Sequence, residues 1–137
     1  PKAPKLEQWS PGIPGERILF NQNAWTWSGN WTSESGWKST SQPNLEATLS
    51  FTGIAVAVLG RLDQKGGRAE VYLDGKKQKL GIDAYIVPNT HDNVLWQAYD
   101  LKPGKHTLRI VTLNSADSRS AGHEIAISQA VTYIPAR

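Results

Sequence analysis

From Leu45 to Thr52 the chain reads Leu-Glu-Ala-Thr-Leu-Ser-Phe-Thr, apolar at every odd position and polar at every even one. A period of two marks a strand with one dry and one wet face. The alternation recurs in Ala69, Val71 and Leu73 against Arg68, Glu70 and Tyr72, and again in Ile125 and Ile127, continuing in phase to Val131 and Tyr133. Ile54 to Leu59 is apolar throughout and predicts a central strand covered on both sides. Further strands are expected at 17–21, 94–99 and 106–112, with another over 80–87 that bends at Gly81. No segment holds a long 3.6-residue apolar period. The pattern therefore predicts an all-β antiparallel sandwich or barrel with almost no helix.

Turn chemistry joins these strands. Asp74-Gly75 between two strand patterns is a two-residue hairpin signal, because both central positions want positive φ. Thr52-Gly53 is a tight link, and Lys102-Pro103-Gly104 sets Pro where φ is fixed and Gly where a left-handed turn residue is needed. If successive strands alternate direction, these short turns fall at one end of the molecule. The longer connections, 28–44, 60–67, 87–93 and 114–122, then share the other end, the usual arrangement of recognition loops on a rigid scaffold.

Composition narrows the class. A chain of 137 residues suits one domain, and 39% apolar with 20% charged residues is ordinary for a folded globular protein. There is no Cys, which removes disulfides, thiolate metal sites and a cysteine nucleophile. No apolar run approaches the roughly 20 residues that cross a bilayer, so a membrane span is not expected. The chain also lacks Met and opens Pro-Lys-Ala-Pro-Lys, which reads as the end of a linker in a longer polypeptide. Residues 1–16 are thus expected to be linker and N-terminal extension, 17–134 the folded domain and 135–137 a tail. Net charge is +3, a mild bias toward anionic partners such as an acidic polysaccharide. Nucleic acid is not expected, since no aromatic residues interleave Lys76, Lys77 and Lys79.

In order along the chain, Trp27-Ser28-Gly29-Asn30-Trp31, Ala47 to Val56, Val71-Tyr72-Leu73-Asp74-Gly75-Lys76, Leu101 to Ile110 and Ile127 to Tyr133 resemble the galactose-binding-like jelly-roll domains. Many of these are carbohydrate-binding modules of secreted polysaccharide-active enzymes. The resemblance implies a jelly-roll β-sandwich of about eight strands. It also implies a non-catalytic role, sugar bound through loops at one end, in some relatives a structural calcium, and a neighbouring catalytic domain in the same polypeptide. Other members of the family brace such a neighbour without binding sugar, and fold alone does not choose.

Candidate ligand-binding residues come from the loops. Trp37, after Gly36, is the expected aromatic platform, because a pyranose lays its C–H face on an indole while its hydroxyls seek charged and amide partners. Arg61, Asp63, Tyr85, Asn89, His91, Asp92, Asn114 and Arg119 supply forked donors and acceptors that match vicinal hydroxyls. Trp27 and Trp31 are expected to bury their indoles between the sheets, whereas Trp25 is expected to be exposed along with Trp37. Asp63 and Arg61 have a plainer reading as an exposed ion pair, and the 85–93 loop as one whose Asn and Asp satisfy their own backbone. No HExxH or GxSxG pattern occurs, so zinc and a nucleophile elbow are not expected. A small glycan-active enzyme built on Asp63, Asp92 and Asp117 stays open as an alternative.

Overall fold

In the computed structural model, residues 14–87 and 90–136 are described, with the backbone alone described at 90–92. The described residues form twelve strands in two antiparallel sheets. They are β1 (Gly15–Phe20), β2 (Thr26–Ser28), β3 (Thr32–Glu34), β4 (Trp37–Thr40), β5 (Glu46–Thr52), β6 (Ala55–Leu62), β7 (Arg68–Leu73), β8 (Lys76–Lys77), β9 (Ile82–Asp83), β10 (Thr90–Ala98), β11 (Lys105–Thr112) and β12 (Ile125–Pro135). Eight run four residues or longer. One sheet is ordered β10-β6-β12-β4-β3, with β1 also beside β12. The other is ordered β2-β5-β11-β7-β8, with β9 also beside β7. The architecture is the predicted jelly-roll sandwich.

Period-two patterning does the sorting. Leu49, Phe51, Val71, Leu108 and Ile110 face inward from the second sheet, and Val56, Val58, Ile125 and Ile127 meet them from the first. The alternate residues of β6, Ala55, Ala57 and Leu59, are also buried, in a second cluster on the opposite face of their sheet. As its unbroken apolar run requires, β6 lies between β10 and β12.

In β12 the structure corrects the sequence reading. Ile125 and Ile127 were expected in phase with Val131 and Tyr133, yet the first pair belongs to the main core and the second to the opposite cluster. A register shift against β6 between Ile127 and Gln129 inserts a residue and inverts the facing of the strand beyond it. The expected strand over 80–87 shrinks to Ile82–Asp83 plus a single bridge at Tyr85, and Leu80 is 76% exposed. Conversely, much of the supposed 28–44 loop is the β3–β4 hairpin, and β10 starts at Thr90 within the supposed 87–93 loop.

Three of the clustered tryptophans line the core. Asn21 caps a short 3-10 turn, Gln22–Ala24, by accepting the Asn23 N–H, and the chain then lays Trp25 against Trp27 with ring centroids 5.6 Å apart. Trp31 meets Trp27 edge-on at 4.9 Å. Trp27 donates its indole N–H to the Gln22 carbonyl and Trp31 to that of Ser28, and both indoles pack against the core with a polar partner but are only partly buried, less enclosed than expected. Trp25 is a correction. It is only 5% exposed, because the 3-10 turn rolls the chain inward just ahead of β2.

Antiparallel pairing places Thr52 opposite Lys105, Leu73 opposite Leu108 and Ala98 opposite Val56. The short connections therefore gather at one pole. At that pole Asp74 and Gly75 take φ of 52° and 82°, the left-handed pair that a two-residue hairpin needs. The connections 63–67 and 113–124, with residues 84–87 of the connection that follows β9, gather at the opposite pole, as alternation of strand direction predicted.

Candidate functional site

The loop pole is knitted together by backbone hydrogen bonds. Asp63 N–H donates to the Ala84 carbonyl and Ile86 N–H to that of Asp63, while Gly67 N–H reaches Glu124 and Glu124 N–H reaches Lys65. Gly66 and Gly67 make this threading feasible. A Cβ at Gly66 would lie 1.9 Å from the Ala84 carbonyl oxygen, and one at Gly67 would lie 2.5 Å from His123 backbone. Ser120 Oγ donates to the Gly66 carbonyl at 2.7 Å and fixes the 113–124 loop to the 63–67 loop. Such a surface is organised before any ligand arrives, which lowers the ordering cost of binding.

On this base the structure brings together five of the nine expected residues. Arg61 stacks over the Trp37 ring at 5.4 Å, and Arg119 stacks over the Tyr85 ring at 5.2 Å. Asp63 joins the two stacks, since its backbone bridges Tyr85 and its carboxylate lies 3.8 Å from the Arg61 guanidinium. Arg61 donates to Glu124 at 2.8 Å and lies 3.8 Å from Glu34, two partners the sequence reading did not single out. Asp117, expected only as a carboxylate of the glycan-active alternative, receives Arg119 through both oxygens at 2.9 and 3.0 Å. That guanidinium, then the Arg119 backbone N–H, holds the Asp117 carboxyl well below the usual carboxylate range; the carboxylate in turn holds Arg119 above its ordinary value.

Trp37 is not in a loop. It opens β4, and the 125–40, 126–39 and 127–38 pairings with β12 turn it to the outer face of its sheet, where it is half-buried under Arg61. Asn114 is exposed in the 113–124 loop. Asn89 and the side chains of His91 and Asp92 lie outside the described residues. The plainer reading also has structural support: Asp63 Oδ1 accepts the Lys65 N–H at 2.6 Å, and Asp117 organises its own turn in the same way. Among the described residues no three of His, Asp or Glu converge as metal ligands.

Two depressions lie away from this pole. A groove of about 550 Å³ runs along the side of the sandwich between β10 and residues 78–81, with Leu80, Trp96 and Tyr99 among its walls. Trp96 spans the gap between the sheets, donating its indole N–H to the Leu80 carbonyl at 2.9 Å. The second, of about 370 Å³ at the turn pole, holds Asp74 and His106 beside Ser50. Histidine, carboxylate and serine together raise the question of nucleophilic catalysis, and the hydrogen bonding answers it. His106 Nδ1 faces Asp74 Oδ2 and Nε2 faces the Lys102 carbonyl, each at 2.6 Å, so both ring nitrogens are already engaged by groups other than the Ser50 hydroxyl.

Comparison with solved structures agrees with the fold. A two-domain esterase active on acetylated mannans, co-crystallized with mannopentaose, superposes with a TM-score of 0.69 at 13% identity, over 93% of this chain and 39% of that one. The chain has the fold of a carbohydrate-binding-module-like β-sandwich. The CBM36-1 domain of a multidomain xylanase from the hindgut metagenome of Trinervitermes trinervoides matches with a TM-score of 0.54 at 9% identity, over 85% of this chain and 95% of that domain. A family two carbohydrate esterase from Cellvibrio japonicus matches at 0.57 and 12% identity, over 90% of this chain and 36% of its own. The chain thus spans well under half the length of the esterases it resembles. No protein-family model and no curated protein matches it.

Proposed function

We propose that the domain is a non-catalytic carbohydrate-binding module, extracytoplasmic and part of a larger protein, that binds a glycan at the loop pole and holds an attached enzyme to polysaccharide. The observation that carries this reading is the pair of aromatic–guanidinium stacks, Trp37 with Arg61 and Tyr85 with Arg119, joined through Asp63. Aromatic rings offer faces to sugar C–H groups, and the forked donors and acceptors around them suit vicinal hydroxyls. The mannopentaose co-crystallized with one structural neighbour and the xylanase that carries another support a glycan as ligand. The doubly engaged His106 supports a role without catalysis at the turn pole. Affinity electrophoresis of the chain through gels containing a panel of polysaccharides tests the reading. Retardation by at least one that is lost in Tyr85→Ala is expected; migration unchanged by every polysaccharide overturns it.

The lateral groove favours a second reading, a domain that braces a neighbour. Leu80 and Tyr99 are exposed there beside β10, the edge strand of its sheet among the described residues, and Pro14 and Ala136, hydrogen-bonded at 2.9 Å, both lie at the turn pole. This reading predicts that Leu80→Asp lowers the melting temperature of the longer protein while leaving glycan retardation intact.

A further inference from the structure

The basic balance of the chain does not reside at the loop pole. Lys76, Lys102 and Lys105 lie on or beside the short connections of the opposite pole, together with Asp100 and with Asp74, which is already held by His106. At the loop pole each guanidinium has a carboxylate: Arg61 with Glu124 at 2.8 Å, Arg68 with Asp83 at 3.2 Å and Arg119 with Asp117 at 2.9 Å. Glu34 and Asp63 add two carboxylates around Arg61, and among the described residues of these loops Lys65 is the cation left without a carboxylate.

Three of the anions are also fixed by the backbone. Asp63, Asp83 and Asp117 each accept the N–H two residues on, at 2.6, 3.2 and 2.9 Å, in Asx turns that shape the loops. The Arg119 side chain is exposed, and its carboxylate partner is fixed as part of the turn. An incoming uronate would then meet standing negative charge, and two like charges a few ångströms apart repel unless a cation lies between them. A neutral sugar meets no such charge, and its hydroxyls donate to carboxylates and accept from guanidiniums alike.

Resting on the glycan-binding reading above, we infer that the loop pole selects uncharged glycans and rejects polyuronates, because its guanidiniums are neutralised by carboxylates built into the loops.

The test is an amide NMR titration of the whole chain with neutral hexose and pentose oligosaccharides and, separately, with oligogalacturonates, read at the Lys65, Tyr85 and Arg119 amides. Neutral oligomers are expected to shift these amides, and oligogalacturonates to leave them unmoved or shift only lysines of the turn pole. Asp117→Asn keeps a carbonyl to accept the Arg119 N–H while releasing the guanidinium, so it should gain oligogalacturonate affinity at the loop pole by about fivefold, in a salt-sensitive manner. Oligogalacturonate shifts at the loop pole of the native chain overturn the selectivity and leave the glycan site standing. Loop-pole amides that respond to no sugar overturn the site itself. A native preference for neutral sugars with no gain in Asp117→Asn overturns the assignment to paired guanidiniums.

Discussion

His106 and Asp74 lie 2.6 Å apart, Nδ1 to Oδ2, and tie the β10–β11 connection to the β7–β8 hairpin. Burial pulls the His106 pKa down, but the Asp74 carboxylate and the Lys102 carbonyl outweigh it and leave the group above its ordinary value. Asp74 is held below its ordinary value by His106 and then by the Thr107 N–H. A raised histidine stabilises fully below its unfolded pKa, about 6.5, and loses that contribution as pH rises through the folded value. A depressed aspartate stabilises above about 3.9 and loses it as pH falls through its folded value. The melting temperature should therefore be flat between about pH 4 and 6.5 and decline on the alkaline side. In His106→Gln the alkaline decline should disappear, as thermal unfolding followed across pH would record.

Removing an aromatic ring from the loop pole separates recognition from folding. Tyr85→Ala should weaken glycan binding by about tenfold or more, because an aromatic anchor is where such interfaces concentrate their energy. Its loop is held by the Asp63 and Ala84 backbone bonds, so the urea midpoint should move little. Trp37→Ala should weaken binding too, but with a measurable stability loss, since the indole is half-buried and carries Arg61.

A methyl group at Gly66 has nowhere to go. With its Cβ 1.9 Å from the Ala84 oxygen, Gly66→Ala must push the 63–67 loop away from residues 84–85. Overpacking of this kind costs about 1–3 kcal/mol. It should abolish glycan retardation together with stability, whereas Gly75→Ala, at a position with open space around it, should lower stability alone.

Among the clustered tryptophans, Trp25 should be the costliest to lose. Truncation of a buried aromatic residue to Ala destabilises by about 3–5 kcal/mol. Denaturant unfolding should rank Trp25→Ala well above Trp37→Ala, where equal exposure of the two would give similar losses.

The strands and turns were legible because their signals are local. Alternation in Leu45 to Thr52, the doubly apolar Ile54 to Leu59 and the Asp74-Gly75 pair each state their structure within a few residues, since side chains alternate faces along any strand and Gly takes positive φ anywhere. Strand parity then placed the loops that carry Asp63, Tyr85 and Arg119 at one pole. Harder to read was the inverted facing of Val131 and Tyr133, because the residue inserted before Gln129 leaves the apolar spacing unchanged. Leu80 misled for the opposite reason: the apolar Ile82, Ala84 and Ile86 that follow it suggest one strand over 80–87, but among the described residues pairing with β7 begins only at Ile82.

By itself the sequence determined a two-faced β chain, its tight turns and the pole at which its polar loops collect, all properties of neighbouring residues. Tertiary structure decided that Trp25 is dry, that Trp37 lies on a sheet face beneath Arg61, and that each loop-pole guanidinium meets a carboxylate. Those outcomes depend on strands far apart in the chain, such as β4, β6 and β12, coming into register, and only the assembled sheets fix which side chains then share a face.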